Sequence, residues 1–231
     1  MTENLWLAIA GTVVLWAVSG SMAVALGLGI AAGSLSINRL LRHAARAGVN
    51  VTRGVPTSLF VIAAGIGMMR LSSAPGLPVI YPGTSTAFQH VAWGVVFALA
   101  LGSAGHLAEI FRAAHSTLGQ FRLEAATVLG LSRFDRSRLL MRECAAVALP
   151  PTGARLVHHL HNTAFAALFP VADLFGYVEG QASATFRVLD FVLLGCLIYV
   201  NLSGLTWLLV RALEAALSPP TAKIEKGGMA A

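Results

Sequence analysis

Long apolar runs separated by short arginine-bearing polar segments set the pattern of this chain. The first run extends from Leu5 to about Gly33. As a helix it would be roughly 43 Å long, more than a hydrocarbon core of about 30 Å, so it is expected to tilt or to project from the membrane. Gly11, Gly20, Gly27, Gly29 and Gly33 give it a small-residue stripe, and the Gly29/Gly33 spacing predicts close helix packing. A polar connector from Ser34 to Arg53 follows, then a second run from about Gly54 to Met69. Pro56 lies at its entry, where a missing N–H costs least. The segment from Leu71 to Thr86 holds three prolines and no regular period, which predicts a loop. A third run covers about Val91 to Ile110, and a polar segment occupies Arg112 to Glu143. A fourth run begins near Pro150 and reaches about Phe175. After a short connection around Glu179-Gly180, a fifth runs from about Val188 to Val210. The expectation is an all-α integral membrane protein with five transmembrane helices over residues 5–213 and a polar, poorly ordered tail over 214–231.

Composition agrees with that pattern and decides the orientation. The chain has 231 residues, 56% of them hydrophobic and 11% charged, with mean hydropathy +0.74, which excludes an ordinary soluble domain. Its net charge of +6 comes without the basic–aromatic interleaving of a nucleic-acid surface, so no nucleic acid is expected as a partner. Instead the cations gather between alternate apolar runs. Arg39, Arg42, Arg46 and Arg53 lie in the first connector, and Arg112, Arg122, Arg133, Arg136, Arg138 and Arg142 in the central segment. Arg211, Lys223 and Lys226 lie at the end, whereas the opposite side keeps Arg70 and Arg187, with Arg155 inside a run. The positive-inside rule then places the N-terminus outside and the C-terminus in the cytoplasm. Met-Thr-Glu-Asn lacks the basic start of a cleaved signal, so the first run is expected to persist. Cys144 and Cys196 form no disulfide pattern.

The polar segment is the most informative stretch. Thr117 followed by Gln120 predicts a capped helix start, Ala125, Ala126 and Leu129 suit its interior, and Gly130 can end it in the left-handed conformation. Ser132 and Asp135 then predict the cap of a second short helix carrying Arg133, Arg136 and Arg138. The product is a helix–Gly–helix elbow, too polar to enter a bilayer. By itself it reads first as a solvated loop between two membrane helices.

Its wording is more specific. Gly119-Gln120, Glu124-Ala125-Ala126 and Gly130 resemble the GQ-x3-EAA-x3-G core of ABC importer permeases. Gly11-Thr12, Ser19, Leu26-Gly27 and Asn38 are similar to the opening of the polar-amino-acid branch. Arg53-Gly54-Val55-Pro56, Ala108-Glu109-Ile110-Phe111-Arg112, Ala148-Leu149-Pro150, Leu160-His161-Asn162-Thr163-Ala164 and Asp173-Leu174 are similar to further motifs of that branch, in order. The chain departs from the family pattern at Met141-Arg142-Glu143-Cys144, where Leu-Pro is usual, and at His106, where tyrosine is usual. Without that proline the second elbow helix is free to continue.

The resemblance implies the type I ABC importer permease fold, with a cytoplasmic EAA coupling loop whose helices dock on an ATPase. It implies a subunit of an ATP-driven importer of polar amino acids, with His161 a weak hint of a basic or opine-like solute. Gly119, Gln120, Glu124, Ala125, Ala126 and Gly130 would couple to the ATPase. The implied partners are a second permease, two cytoplasmic ABC ATPases and an external or periplasmic solute-binding protein, at the bacterial inner (plasma) membrane. The chain lacks the Gly-x4-Gly-Lys-Ser/Thr phosphate loop, so it is not expected to be an enzyme. It is expected to hold no cofactor, with ATP and Mg bound by the partner ATPases.

Ionisable groups inside apolar runs mark function by default. Glu109 and Arg112 are three residues apart and can pair on one helix face as a structural ion pair. His158 shares a face with His161, and Arg155 shares one with His159. His158, His161, Asn162 and Thr163 are candidates to line a substrate pathway; cavity lining or helix–helix hydrogen bonding is the structural alternative. A metal site is not expected, because no further ligand is suitably spaced. Arg187 and Asp190 suggest a local salt bridge or a docking point for an external protein. The reading from another class is an ion-coupled secondary carrier or channel relaying charge through Glu109, Asp190 and the fourth-run histidines. A structural partner subunit with a degenerate cavity is the third.

Overall fold

A computed structural model describes residues 2–70 and 89–217, and the expected loop 71–86 and end of the tail lie outside the described residues. All described elements are helical: α1 (Thr2–Ser34), α2 (Arg39–Gly54), α3 (Thr57–Met69), α4 (Gln89–Val128), α5 (Arg133–Asn162), α6 (Leu174–Thr185) and α7 (Val188–Leu217). A 3₁₀ segment, Thr163–Leu168, follows α5.

The helix α4 is the hub, packing against α1, α2, α3 and α5. Of its most apolar window 78% is buried, against 28% for α1 and 11% for α7. That difference assigns the surfaces. Leu193, Leu197, Val200, Leu205, Leu208 and Leu209 of α7 are exposed, as suits a lipid-facing helix. The main core joins Leu15 of α1, Val61 of α3, Val91, Val95 and Leu99 of α4, and Ala166 of the 3₁₀ segment. In lipid, dispersion contacts rather than water expulsion hold such helices together, so small residues at crossings matter. Gly27 provides the close crossing of α1 on α4, since a Cβ there would lie 2.8 Å from Leu107 Cβ. At Gly29 a Cβ would meet nothing within 4 Å, so the expected Gly29/Gly33 contact does not form as a pair.

Several expected boundaries move. Three helices are long and apolar enough to cross a membrane, Asn4–Ser34, Gln89–Leu118 and Val188–Leu217. A fourth exists if α2 and α3, bent by 97° at their junction, count as one. The 13 residues of α3 rise about 20 Å and fall short of a crossing alone. The first connector is itself helix, started by Asn38, whose Oδ1 accepts from Leu40 N at 2.9 Å. The fourth run, expected to continue to Phe175, breaks after Asn162. Phe169, forced extended as the residue before Pro170, has φ −129° and ψ 162° and stops the 3₁₀ segment. The expected connection around Glu179-Gly180 is the interior of α6, started where Asp173 accepts from Phe175 N at 2.9 Å and Gly176 N at 3.3 Å.

Candidate functional site

Two places gather polar side chains in defined hydrogen-bonded arrangements: the elbow and a buried network at mid-membrane height. At the elbow α4 stops at Val128, and Gly130 takes φ 70°. Gly130 N donates to Thr127 O at 3.0 Å and Leu131 N to Ala126 O at 3.1 Å, the paired bonds of a Schellman ending. Ser132 Oγ accepts from Asp135 N at 3.2 Å and donates to Asp135 Oδ2 at 2.6 Å, so α5 is capped as its residues predict. Arg136 Nη1 donates to Thr127 Oγ1 at 2.8 Å and ties the two helices across the turn.

The elbow's outer helices differ from expectation. No helix starts at Thr117: its Oγ1 donates to Ala113 O at 2.9 Å, and α4 passes through without a break. The back-bonded threonine needs no cap, and the surrounding alanines favour continuation. Beyond the turn α5 is not short but runs 30 residues to Asn162, with Pro150 and Pro151 inside it. Glu124 is exposed and Ala126 is buried. The side chains of Gly119, Gln120 and Ala125 lie outside the described part. At the tip Val128 (87% exposed), Leu129 (77%) and Phe134 (73%) form an uncovered apolar knob between charged residues.

The second place is built by α1, α4 and α5. His159 is fully buried; its Nε2 lies 2.8 Å from Ser19 Oγ and its Nδ1 2.8 Å from Ser103 Oγ. Ser19 donates its own hydrogen to Leu15 O at 2.5 Å, so Nε2–H of His159 must donate to Ser19. Ser103 Oγ accepts from Arg155 Nη2 at 3.2 Å and can give its hydrogen to Nδ1. Arg155 Nη2 also donates to Gly102 O at 3.0 Å. A neutral imidazole completes this chain of donors and acceptors without a gap. Ser19 and Ser103 lie at the middle of the apolar stretches Asn4–Ser34 and Gln89–Leu118, so the network sits near the bilayer midplane.

The pathway candidates separate. His158 is exposed on α5, whereas His161 Nε2 lies 3.0 Å from Ser203 Oγ of α7 with its ring edge-on to Tyr199. Thr163 is buried and donates to Leu160 O at 2.7 Å, and Asn162 is buried with no partner for Nδ2. Glu109 accepts from Arg112 Nη2 at 2.6 Å and Nε at 3.0 Å. Asp190 accepts from Arg187 Nε at 2.7 Å in an exposed pair. Among the described residues no group of three or more His, Cys, Asp or Glu could hold a metal. Sequence reasoning missed Ser19, Ser103 and His159 as one unit. The shared face of Arg155 and His159 was the only local signal.

Comparison with known proteins adds the identity. Residues 25–219 match the family described as "Binding-protein-dependent transport system inner membrane component". The chain is 29% identical over 175 residues to the probable amino-acid permease protein YxeN of Bacillus subtilis, covering 74% of this chain and 72% of the relative. It is 26% identical over 212 residues to the histidine/lysine/arginine/ornithine transport system permease protein HisM of Salmonella typhimurium, covering 91% and 85%. Among solved structures it superposes on a chain of an amino acid ABC transporter crystallised with histidines, with TM-score 0.74, 23% identity and coverage of 93% and 94%. An inward-facing MetNI methionine ABC transporter chain gives TM-score 0.74 at 17% identity, over 95% of this chain and 98% of that one. The family match spans most of the chain, which therefore belongs to the inner-membrane components of binding-protein-dependent transport systems.

Proposed function

We propose that this chain is the permease subunit of an ATP-driven importer of polar amino acids, forming half of a translocation pathway with a second permease. The relatives named above support the solute class. In this reading α1, the bent pair α2–α3, α4, α5 and α7 make five crossings, with the N-terminus outside and the elbow and tail in the cytoplasm. Two ABC ATPases bind the elbow, and an external solute-binding protein delivers the solute.

The observation that carries the reading is mechanical continuity. From Ser103 at mid-membrane, α4 runs unbroken to Val128, about 38 Å away along the helix. After the turn α5 returns unbroken from Arg133 to His159. Force applied to the apolar knob therefore reaches the Ser103–His159 junction through two rigid levers, joined by a turn with defined hydrogen bonds. ATP-driven closure of the ATPases would displace the elbow and rock α4 and α5, exposing the midplane alternately to either side.

Affinity purification of the chain from its native membrane, with mass spectrometry of what accompanies it, tests this directly. A P-loop ATPase should copurify from wild type and be lost with Glu124→Arg, while the variant still inserts. A preparation without an ATPase, in detergent that preserves comparable complexes, would turn the reading towards an ion-coupled carrier.

A further inference from the structure

Arg155 stands near the membrane midplane, with no carboxylate paired to it among the described residues. Its Nη2 is spent on Gly102 O and Ser103 Oγ, and its Nε is buried with no hydrogen-bond partner. The charges acting on its surroundings are all basic: His106, His158 and His159 each lie within electrostatic reach of Arg155, and His106 also within reach of Arg53. Among the described residues no carboxylate pairs with any of these five groups except Glu109, which feels Arg53 but is bonded to Arg112. An arginine in a span is tolerated when it faces a bundle interior or a water-filled path and finds an anion there. Here the described residues supply none.

The face beside Arg155 is not a lipid face. The uncovered line of α5 is Pro151, Ala154, His158 and His161, small or polar residues at helical spacing, whereas the uncovered side of α7 is dominated by large apolar residues such as Leu193, Leu197, Val200, Leu205 and Leu208, with Asn201 among them. In a two-permease assembly the polar line is the one fit to border a solute path.

We propose that Arg155, flanked by His106 and His158, is the midplane binding site for a carboxylate of the transported solute, and that this permease favours net-anionic amino acids over basic ones. Arg155 Nε offers a charge-assisted hydrogen bond in a water-poor setting, and the two imidazoles lie within electrostatic reach of the same guanidinium. A cationic side chain would meet Arg155 with no carboxylate to balance it. The relatives named for histidine, lysine, arginine and ornithine therefore do not set the solute of this chain. The inference rests on the permease reading.

The test uses the full complex, purified with its ATPase and without the solute-binding protein, in equilibrium binding of L-glutamate, L-glutamine and L-arginine. Wild type should bind L-glutamate at least tenfold more tightly than L-glutamine, with L-arginine weakest. Loss of one charge-assisted bond is worth a factor of about ten to one hundred, so Arg155→Gln should erase the glutamate preference. Arg155→Glu should raise L-arginine affinity above that of L-glutamate. Binding of L-arginine as tight as L-glutamate by wild type, or no binding of L-glutamate, overturns the proposal without recourse to any variant. An unchanged preference in Arg155→Gln also overturns it. Absence of the ATPase from the preparation would instead count against the permease reading, so the two failures are distinguishable.

Discussion

Nε2 of His159 lies 2.8 Å from Oγ of Ser19, a side chain 140 positions earlier, and this bond fixes how α5 sits on α1. The opposite nitrogen of the same ring faces Ser103 of α4 at 2.8 Å. One fully buried imidazole thus spans three helices, where losing a partner leaves a buried polar group unpaired. Trp16 Nε1, donating to Leu156 O at 3.0 Å, adds a second tie between α1 and α5 one turn away.

Truncating the two ends of that bond should have unequal effects. Ser19→Ala removes one interhelical hydrogen bond and should cost about 0.6–1 kcal/mol, near the average for such bonds within membranes. His159→Ala also leaves Ser103 and Ser19 without their ring partner and opens a void, for about 2–4 kcal/mol. Thermal unfolding of the detergent-solubilised complex should therefore show a clearly larger fall in Tm for His159→Ala. Equal shifts would mean that the ring does not bridge the helices.

Two glycines of α1 separate packing from composition. Gly27→Val puts a side chain where even a Cβ would lie 2.8 Å from Leu107 Cβ and 3.2 Å from Ala104 O. Forcing α1 and α4 apart should cost about 1–3 kcal/mol and lower the yield of folded protein. Gly29→Val enters open space and should leave yield and Tm unchanged. Size-exclusion profiles of fluorescent fusions would read both variants together.

Gly130 carries the elbow because φ 70° is strained for other residues. Gly130→Ala should cost about 1 kcal/mol at the turn, and ATP-dependent uptake should fall several-fold as the levers lose their fixed angle. Gly130→Asn should be milder, since asparagine tolerates the left-handed region. Gly130→Pro cannot adopt this φ and loses the N–H bonded to Thr127 O, so uptake should disappear while the protein still inserts. Uptake assays normalised to membrane protein level check the order Asn above Ala above Pro.

How much of this was legible depends on whether the signal was local. The apolar runs of α1, α4 and α7, the Ser132–Asp135 cap and the glycine ending at 130 are short-range features, and the structure has them where the residues point. The Thr117–Gln120 pattern misled because threonine also bonds back to the carbonyl four residues earlier, which leaves a helix intact. The α6 helix was hidden because Gly176, Glu179 and Gly180 interrupt the apolar pattern and read as a connection, although the Asp173 cap starts a helix through them. Arg155 and His159 announced a shared face by spacing alone. Their partners Ser19 and Ser103, small residues far away in the chain, could be found only in three dimensions.

The two cysteines provide a test of orientation. Cys144 is half-buried on α5, ahead of the apolar run that begins near Pro150, and it lines an apolar groove with Leu28, Phe111 and Met141. Burial and the neighbouring Glu143 charge both push its thiol above the ordinary value of 9.0. The thiolate is the reactive form, so labelling by a membrane-impermeant maleimide should be slow at pH 7 and still accelerate beyond pH 9. It should occur in inside-out vesicles and not in right-side-out ones. Cys196 is exposed on α7, but among lipid-facing leucines and valines, where a charged reagent cannot follow. Cys144→Ser should therefore abolish labelling altogether. Reaction of Cys144 from the outer face would reverse the assigned topology and remove the elbow from the side on which ATP is available.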